Sequence, residues 1–215
     1  MRIVIFTNGI LENPEEEARR WIDEGSLVVA ADGGTRYALE AGLLPRHVIG
    51  DLDSLSEEVR AELQAAGTGF HVHPPAKDET DLELALLWAA EQGAEEIVVL
   101  GAFGGRPDQE LANLLLLALP EMEGLRVLIA GGAWTVRLVR SGETAHVVGH
   151  PGDTLSLVPL GGDAEYVTTE GLSYPLEEET LTFGPARGVS NVFEGEEVRV
   201  HVESGLLWAF HRRGA

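Results

Sequence analysis

The sequence predicts an α/β protein, with an N-terminal α/β domain on a parallel sheet and a smaller C-terminal all-β sandwich. Over roughly the first 130 residues, short apolar runs alternate with amphipathic stretches of helical period. Such alternation favours a parallel sheet with helices on its faces. After Gly131-Gly132 the chain changes to short runs of valine, leucine and threonine, separated by glycine and proline. We therefore predict an α/β domain over residues 1–133 and a β-sandwich over residues 134–215.

The individual elements follow from the period of the apolar residues. The N-terminal domain has predicted strands at residues 2–7, 27–31, 47–49, 69–73, 97–100 and 126–130. Helices are predicted at residues 14–24, 35–41, 56–66, 80–92 and 108–119. The spacings Ser54-x-x-Glu57 and Thr80-x-x-Glu83 are typical of capping boxes, so Ser54 and Thr80 are expected to begin helices. In the C-terminal domain, strands are predicted at residues 134–139, 144–148, 154–158, 165–169, 198–202 and 206–210.

Composition excludes several classes of function. A net charge of −21 argues against a nucleic-acid partner, which basic patches would bind, and disfavours an anionic membrane surface. The chain has no cysteine, so disulfides, thiolate zinc sites and thiol nucleophiles are excluded. No apolar run approaches the roughly 20 residues that a membrane span needs, and no signal sequence is recognised at the N-terminus. We expect a folded cytoplasmic protein with no membrane association.

Polar motifs follow four successive predicted strands. They are Asp32-Gly33-Gly34, Gly50-Asp51-Leu52-Asp53-Ser54, Lys77-Asp78-Glu79-Thr80-Asp81 and Gly104-Gly105-Arg106-Pro107-Asp108. Each motif alone also occurs as an ordinary turn or a charged helix start. Together they lie at the carboxyl ends of the strands, which is the edge where an open α/β sheet binds ligands. This coincidence favours a functional site.

The residue types in these motifs suit phosphoryl or diphosphoryl transfer. Two carboxylates about 4 Å apart repel by on the order of 4 kcal/mol at a surface-like dielectric, and a bound cation relieves that repulsion. Magnesium carrying a phosphate chain is the natural candidate. Lys77, the only lysine, and Arg106 offer positive charge to phosphates, and the protein's task in such a reaction is chiefly positioning and charge stabilisation. No P-loop occurs, and no Gly-x-Gly-x-x-Gly follows the first strand.

The ordered set of motifs, continued by Gln109, resembles the thiamine pyrophosphokinase family. The later segments Gly171-Leu172-Ser173-Tyr174-Pro175-Leu176 and Gly188-Val189-Ser190-Asn191 are similar to the C-terminal domain of that family. The resemblance therefore extends over nearly the whole chain. It implies an α/β catalytic domain, a C-terminal β-sandwich and a homodimer with active sites between subunits. It also implies magnesium-dependent transfer of diphosphate from ATP to the hydroxyl of thiamine, which gives thiamine diphosphate and AMP.

The resemblance also implies roles for individual residues. Magnesium would be held by Asp51, Asp53 and Asp81, with Asp78 and Asp108 as further catalytic carboxylates. The nucleotide site would comprise Asp32, Gly33, Gly34, Lys77, Thr80, Gly105, Arg106 and Gln109. Ser190 and Asn191 would hold the aminopyrimidine ring of thiamine.

One position departs from the family pattern. Many bacterial members have histidine after the last aspartate, whereas this chain has Gln109, which forms hydrogen bonds but does not titrate. Three alternatives stay open at this point. They are a diphosphokinase for another hydroxymethyl heterocycle such as a pterin, a non-catalytic nucleotide-binding module, and a magnesium-dependent phosphohydrolase.

Overall fold

In the computed structural model, which describes residues 1–214, the chain divides at Gly132 into two units. The first is Met1–Gly132 and the second begins at Ala133. Among the described residues, no helix combines the length and the apolar character that crossing a membrane requires.

The first unit is built on a parallel sheet. Its strands are β1 (Arg2–Phe6), β2 (Leu27–Ala31), β3 (His47–Gly50), β4 (Gly69–Val72), β5 (Glu96–Leu100) and β6 (Arg126–Gly131). They lie in the order β4-β3-β2-β1-β5-β6, and every neighbouring pair is parallel. The predicted α/β class is confirmed. The strand order reverses between β1 and β5, and the carboxyl edge at such a reversal is where α/β sheets bind ligands.

Helices connect these strands. They are α1 (Pro14–Trp21), α2 (Thr35–Glu40), α3 (Glu57–Ala65), α4 (Asp81–Glu91) and α5 (Pro107–Leu115), with a short 3-10 helix at Asp32–Gly34. Thr80 caps α4 as predicted, since its side chain accepts a hydrogen bond from the Glu83 N–H at 3.1 Å. The prediction for Ser54 is wrong. Ser56 caps α3 instead, and its side chain accepts a hydrogen bond from the Val59 N–H at 3.3 Å, while Ser54 lies close enough to Asp32 to hydrogen-bond its carboxylate.

The second unit consists of antiparallel strands. They are β7 (Trp134–Val139), β8 (Glu143–Val148), β9 (Thr154–Glu170), β10 (Glu179–Leu181), β11 (Asn191–Val192), β12 (Glu197–Val202) and β13 (Ser204–Arg212). Residues 154–160 of β9 pair with β13, which also pairs with β7. Residues 168–170 of β9 pair with β12, which also pairs with β8. The long strand thus belongs to both sheets of a β-sandwich, and the two strands predicted at 154–158 and 165–169 are parts of one strand.

A buried contact between an aspartate and a histidine joins distant parts of this sandwich. His211 Nε2 lies 2.8 Å from Asp153 Oδ2, and both side chains are less than a tenth exposed. Asp153 also accepts hydrogen bonds from the backbone N–H of Gly214 at 2.6 Å and of His150 at 3.0 Å. Burial alone would raise the pKa of Asp153, but the hydrogen bonds from Gly214, His211 and His150 outweigh it and lower the pKa. The carboxylate is therefore held in its charged form.

We predict that Asp153→Asn destabilises the protein at pH 7 by about 3 kcal/mol, because it leaves buried donors without their charged acceptor. A carboxyl with a depressed folded pKa stabilises the fold above its unfolded pKa and loses that contribution as the pH falls through the folded pKa. In urea unfolding, the free energies of unfolding of wild type and variant should therefore differ by an amount that narrows once the pH falls below about 3.8, the ordinary pKa of an aspartate. Asp163→Asn is the control, because Asp163 is exposed and accepts a hydrogen bond from the Phe183 N–H. A difference in free energy of unfolding that stays constant down to acid pH would contradict the charged form assigned to Asp153.

Candidate active site

A cleft of about 590 Å³ lies at the carboxyl edge of the parallel sheet. Residues that follow β1, β2 and β5 form its walls, together with the segment that leads into α4. It is therefore centred on the reversal of strand order, where the sheet topology favours ligand binding. The predicted site residues that line it are Asp32, Gly33, Lys77, Thr80, Asp81, Gly105, Arg106 and Gln109.

Three carboxylates converge beside this cleft. Oxygen atoms of Asp32, Asp51 and Asp53 all lie within 4.8 Å of one another. Asp32 follows β2 and the other two follow β3, so the parallel pairing of these strands brings them together. Each pair repels by about 3 kcal/mol at a surface-like dielectric, before screening by water and salt. Such an all-oxygen group is suited to a hard divalent cation.

The loop after β3 is shaped to present both of its aspartates. Leu52 has a left-handed backbone (φ 63°) and is buried, while Asp51 and Asp53 on either side are more accessible. The backbone N–H of Asp53 donates to Asp51 Oδ1 at 3.2 Å. Leucine seldom adopts this conformation, and such strain is found most often at functional sites. Burial of the leucine side chain anchors the loop while its neighbours turn toward Asp32.

Asp32 is the most enclosed member of the group. It is only 7% exposed, and its Oδ1 atom has no hydrogen-bond partner among the described residues. Burial raises the pKa of Asp32; a hydrogen bond from Ser54 opposes this, and the charges of Asp81 and Asp51 raise the pKa further. A buried carboxylate oxygen that lacks a protein donor is an available ligand for a cation.

Lys77 and Asp81 form an ion pair at the edge of this group, with Lys77 Nζ 2.8 Å from Asp81 Oδ1. Burial tends to lower the pKa of Lys77, but Asp81, Asp51 and Asp32 together raise it, so the lysine stays positively charged. Asp81 lies beyond the 4.8 Å grouping of the other three carboxylates. The structure therefore groups Asp32 with Asp51 and Asp53, whereas the sequence-based metal set had Asp81 in that place.

Gly50 permits the close approach of these acids. Its φ is 145°, and a Cβ atom at this position would lie 2.9 Å from both Asp32 Cβ and Asp81 Oδ1. A side chain there would force the two aspartates away. Sequence reasoning treated Gly50 only as part of a motif, and the geometry shows that it sets the spacing of the cluster.

The loop after β5 contributes a second wall. The backbone N–H of Gly104 donates to Glu110 Oε1 at 2.7 Å, which ties this loop to α5. Arg106 and Asp108 are both exposed and form a bidentate pair, with Arg106 Nε 3.2 Å from Asp108 Oδ1. The guanidinium lowers the pKa of Asp108 through that hydrogen bond. Arg106 lines the cleft, whereas Asp108 and the exposed Asp78 are not among its lining residues.

The glycines after β2 differ from each other. Gly33 lines the cleft and touches Asn8, because a Cβ there would lie 2.5 Å from Asn8 Nδ2. Gly34 is buried, and a Cβ there would lie 2.1 Å from the Phe6 carbonyl oxygen. Gly34 is therefore required for the packing of this turn against β1. Its predicted role in nucleotide binding stays a prediction.

Sequence reasoning missed several residues that line the cleft. Thr7, Asn8 and Ile10 follow β1, and their position after a strand could have identified them. Arg36 is a further cation; its Nη2 donates to the Tyr37 hydroxyl at 2.9 Å, and that hydroxyl donates to the Gly9 carbonyl at 2.7 Å. No motif identifies Arg36, since the contact of Tyr37 with Gly9 that joins α2 to the segment after β1 spans 28 residues of the sequence.

The two predicted thiamine-binding residues lie in the second unit. Ser190 is exposed and has a left-handed backbone (φ 62°). The Asn191 side chain is already engaged, because its Oδ1 accepts from the Tyr174 N–H at 3.0 Å and its Nδ2 donates to the Tyr174 carbonyl at 2.6 Å. Asn191 therefore holds the Tyr174 segment in place, and the exposed groups beside it are Ser190 and the Tyr174 ring.

Comparison with protein families agrees with this organisation. Residues 18–129 match the model described as thiamin pyrophosphokinase, catalytic domain. Residues 143–207 match the model described as thiamin pyrophosphokinase, vitamin B1 binding domain. The chain belongs to the thiamine pyrophosphokinase family. The resemblance seen in the sequence motifs is thereby confirmed.

Individual members of the family are similar along most of their length. Thiamine pyrophosphokinase of Bacillus subtilis is 30% identical over 191 residues, which is 89% of each chain. A crystal structure of the Bacillus subtilis enzyme superimposes with a TM-score of 0.87 at 26% identity and covers all of both chains. The Candida albicans enzyme reaches a TM-score of 0.81 at 16% identity, over 98% of this chain and 88% of that one, which shows the common fold.

We predict that Asp32→Asn stabilises the metal-free protein by on the order of 1 kcal/mol, because it removes a buried charge that Asp51 and Asp81 repel. Asparagine tolerates the positive φ of 35° at this position. A carboxyl whose pKa is raised by folding destabilises the folded protein while it is ionised. The stability of the wild type should therefore approach that of the variant as the pH is lowered toward the pKa of Asp32. Asp163→Asn, which removes an exposed carboxylate outside this group, is the control in thermal melts without divalent cations. Destabilisation by Asp32→Asn would contradict the account of repulsion.

We predict that Gly50→Ala weakens divalent-cation binding and destabilises the fold by about 1–3 kcal/mol, because the new methyl group collides with Asp32 and Asp81 and the backbone becomes strained. Gly93→Ala is the matched control, since Gly93 also has a positive φ (76°) but no heavy atom near the added Cβ. Calorimetric titration with Mg²⁺ should show a lower cation affinity only in the Gly50 variant. Equal cation affinity in the two variants would refute the spacing role of Gly50.

Proposed function

We propose that this chain transfers the diphosphate group of ATP to the hydroxyl of thiamine and releases AMP. The observation that carries the proposal is the group formed by Asp32, Asp51 and Asp53 beside the cleft, in a chain that matches both domain models of the thiamine pyrophosphokinase family. In this reaction the thiamine oxygen forms a bond to the β-phosphorus of ATP. The bond between that phosphorus and the oxygen bridging to the α-phosphorus breaks, so AMP leaves with the bridging oxygen.

The residues present fit a magnesium ion. All of the donors are carboxylate oxygens, and the buried Asp32 Oδ1 has no partner among the described residues. Asp32, Asp51 and Asp53 would hold the ion. Asp81 lies nearby and is paired with Lys77. A bound magnesium ion neutralises charge on the transferred phosphates. Adding Asp32 to the predicted ligands Asp51 and Asp53 is the change that the geometry favours.

The cations of the cleft have a separate task. Lys77, Arg36 and Arg106 all line it and offer positive charge to the phosphate chain. The pairing of Lys77 with Asp81, and of Arg106 with Asp108, orients these side chains before a ligand arrives. Pre-oriented charges need little rearrangement during a reaction, which is the main source of electrostatic catalysis. A cleft carboxylate would accept the proton of the thiamine hydroxyl.

The second unit would bind thiamine. We expect the Ser190 hydroxyl and the exposed Tyr174 ring to contact its rings, with Asn191 acting through its hold on the Tyr174 backbone. An aromatic side chain suits a flat heterocycle, and stacking on a cationic ring adds a cation–π attraction. We further expect a homodimer that works in the cytoplasm, where ATP is available.

The reaction is tested by incubating the protein with ATP, magnesium and thiamine and resolving all products. We predict one AMP for each thiamine diphosphate formed. Formation of ADP, or phosphate release independent of thiamine, would refute the proposal. Dependence on a hydroxymethyl pterin in place of thiamine would favour the related diphosphokinase, and nucleotide binding without turnover would favour a non-catalytic module.

We predict that Asp53→Asn lowers kcat/KM by about 100-fold or more, which corresponds to roughly 2.7 kcal/mol of lost transition-state stabilisation. The carboxylate is exposed and lies within the group of three, so its loss removes a cation ligand without disturbing the core. Circular dichroism should show an intact fold. Glu58→Gln, an exposed substitution on the nearby helix α3, is the control and should keep full activity. A fully active Asp53 variant would contradict the assigned role.

A further inference from the structure

Two imidazole rings and an indole ring meet in the first unit, outside the cleft. His47 begins β3, His71 lies on β4, and Trp88 lies on α4. The two imidazole centroids are 5.2 Å apart, and the Trp88 ring lies 4.6 Å from that of His47 and 5.3 Å from that of His71. All three side chains are partly buried. None of them lines the cleft.

The strand register explains how the imidazoles meet. His47 is opposite Gly69, and Ile49 is opposite His71, so both histidines are on one face of the sheet and offset by two residues. A Cβ at Gly69 would lie 2.7 Å from His47 Nδ1. Glycine therefore leaves a space that any other residue would fill. The His47 ring leans into it, and His47 Nδ1 comes within 3.1 Å of His71 Nε2.

We propose that His47 and His71 form a two-imidazole binding site for a divalent transition metal of the Cu²⁺ or Zn²⁺ class. Such ions bind imidazole nitrogen at about 2.0–2.1 Å. Two nitrogens 3.1 Å apart would then subtend an angle of about 100° at the ion, between the square-planar and tetrahedral values. The pair is thus already spaced as two ligands of one ion, with water completing the coordination.

The surroundings of His47 favour a neutral imidazole, which is the form that binds metals. Burial lowers the pKa of His47, and the neighbouring His71 and Arg46 lower it further. Without a metal, the same 3.1 Å contact is satisfied by one N–H donating to the other nitrogen. A bound ion would replace that proton and link β3 directly to β4, which is the edge strand of the parallel sheet.

This site differs from the carboxylate group in both position and ligand preference. His47 lies at the start of β3, roughly 13 Å along the strand direction from Asp51. Imidazole suits copper, nickel and zinc, whereas carboxylate oxygens suit magnesium. Excess Mg²⁺ would therefore occupy the carboxylates and leave the histidines available.

The test is a titration of the full chain with CuCl₂ in excess Mg²⁺, followed by tryptophan fluorescence. Bound Cu²⁺ quenches adjacent indoles, and Trp88 touches both imidazoles. We expect saturable quenching in the wild type and in His73→Gln, the matched control that removes a histidine of the same segment. His71→Gln on the edge strand should shift the midpoint at least about tenfold to higher Cu²⁺, which corresponds to ~1.4 kcal/mol. Trp88→Phe should remove most of the signal.

Equal Cu²⁺ midpoints in the wild type and His71→Gln would overturn the proposal. A midpoint shift in His73→Gln as large as that in His71→Gln would also overturn it. If His71→Gln fails to fold, the proposal is tested by imidazole spectra of the wild type alone. In ¹H–¹⁵N spectra of the imidazoles, Zn²⁺ should shift the resonances of His47 and His71 before those of the other histidines. A first shift at any other histidine would also overturn the proposal.

Discussion

The repulsion among carboxylates at the carboxyl ends of β2 and β3 is the constraint on which the rest of the site depends. Asp32, Asp51 and Asp53 lie within 4.8 Å of one another, and the fold brings them there through parallel strand pairing. The backbone accommodates this with unusual conformations at Asp32 and Leu52. An arrangement that costs both electrostatic energy and backbone strain is accounted for when a ligand relieves it. A divalent cation bound with phosphates would do so.

The remaining features of the cleft follow from that constraint. Gly50 leaves room for Asp32 and Asp81 to approach, and Lys77 supplies a fixed positive charge beside them. The strands beneath the cleft are apolar and buried, and their packing opposes separation of the charges. The transition-metal site at His47 is independent of this arrangement, because it depends on a glycine in the neighbouring strand and on nitrogen donors.

Much of this organisation could be predicted from the sequence. The alternation of apolar strands and amphipathic helices indicated the parallel sheet, and motifs after successive strands had to meet at one edge. What could not be predicted depends on distances between strands. Asp32 lies with Asp51 and Asp53 because of the loop shapes around Leu52, and Arg36 reaches the cleft through its contact with Tyr37. Periodicity also could not show that the Asn191 side chain hydrogen-bonds the Tyr174 backbone, or that β9 runs unbroken through two predicted strands.

The most direct test of the central claim is a crystal structure of the protein grown with Mn²⁺ in place of Mg²⁺ and with an unreactive ATP analogue. Anomalous scattering locates the metal independently of the protein atoms. We expect a peak bound by oxygens of Asp32, Asp51 and Asp53 at about 2.1 Å, the distance typical of Mg²⁺. A well-ordered nucleotide whose metal contacts none of these three carboxylates would contradict it.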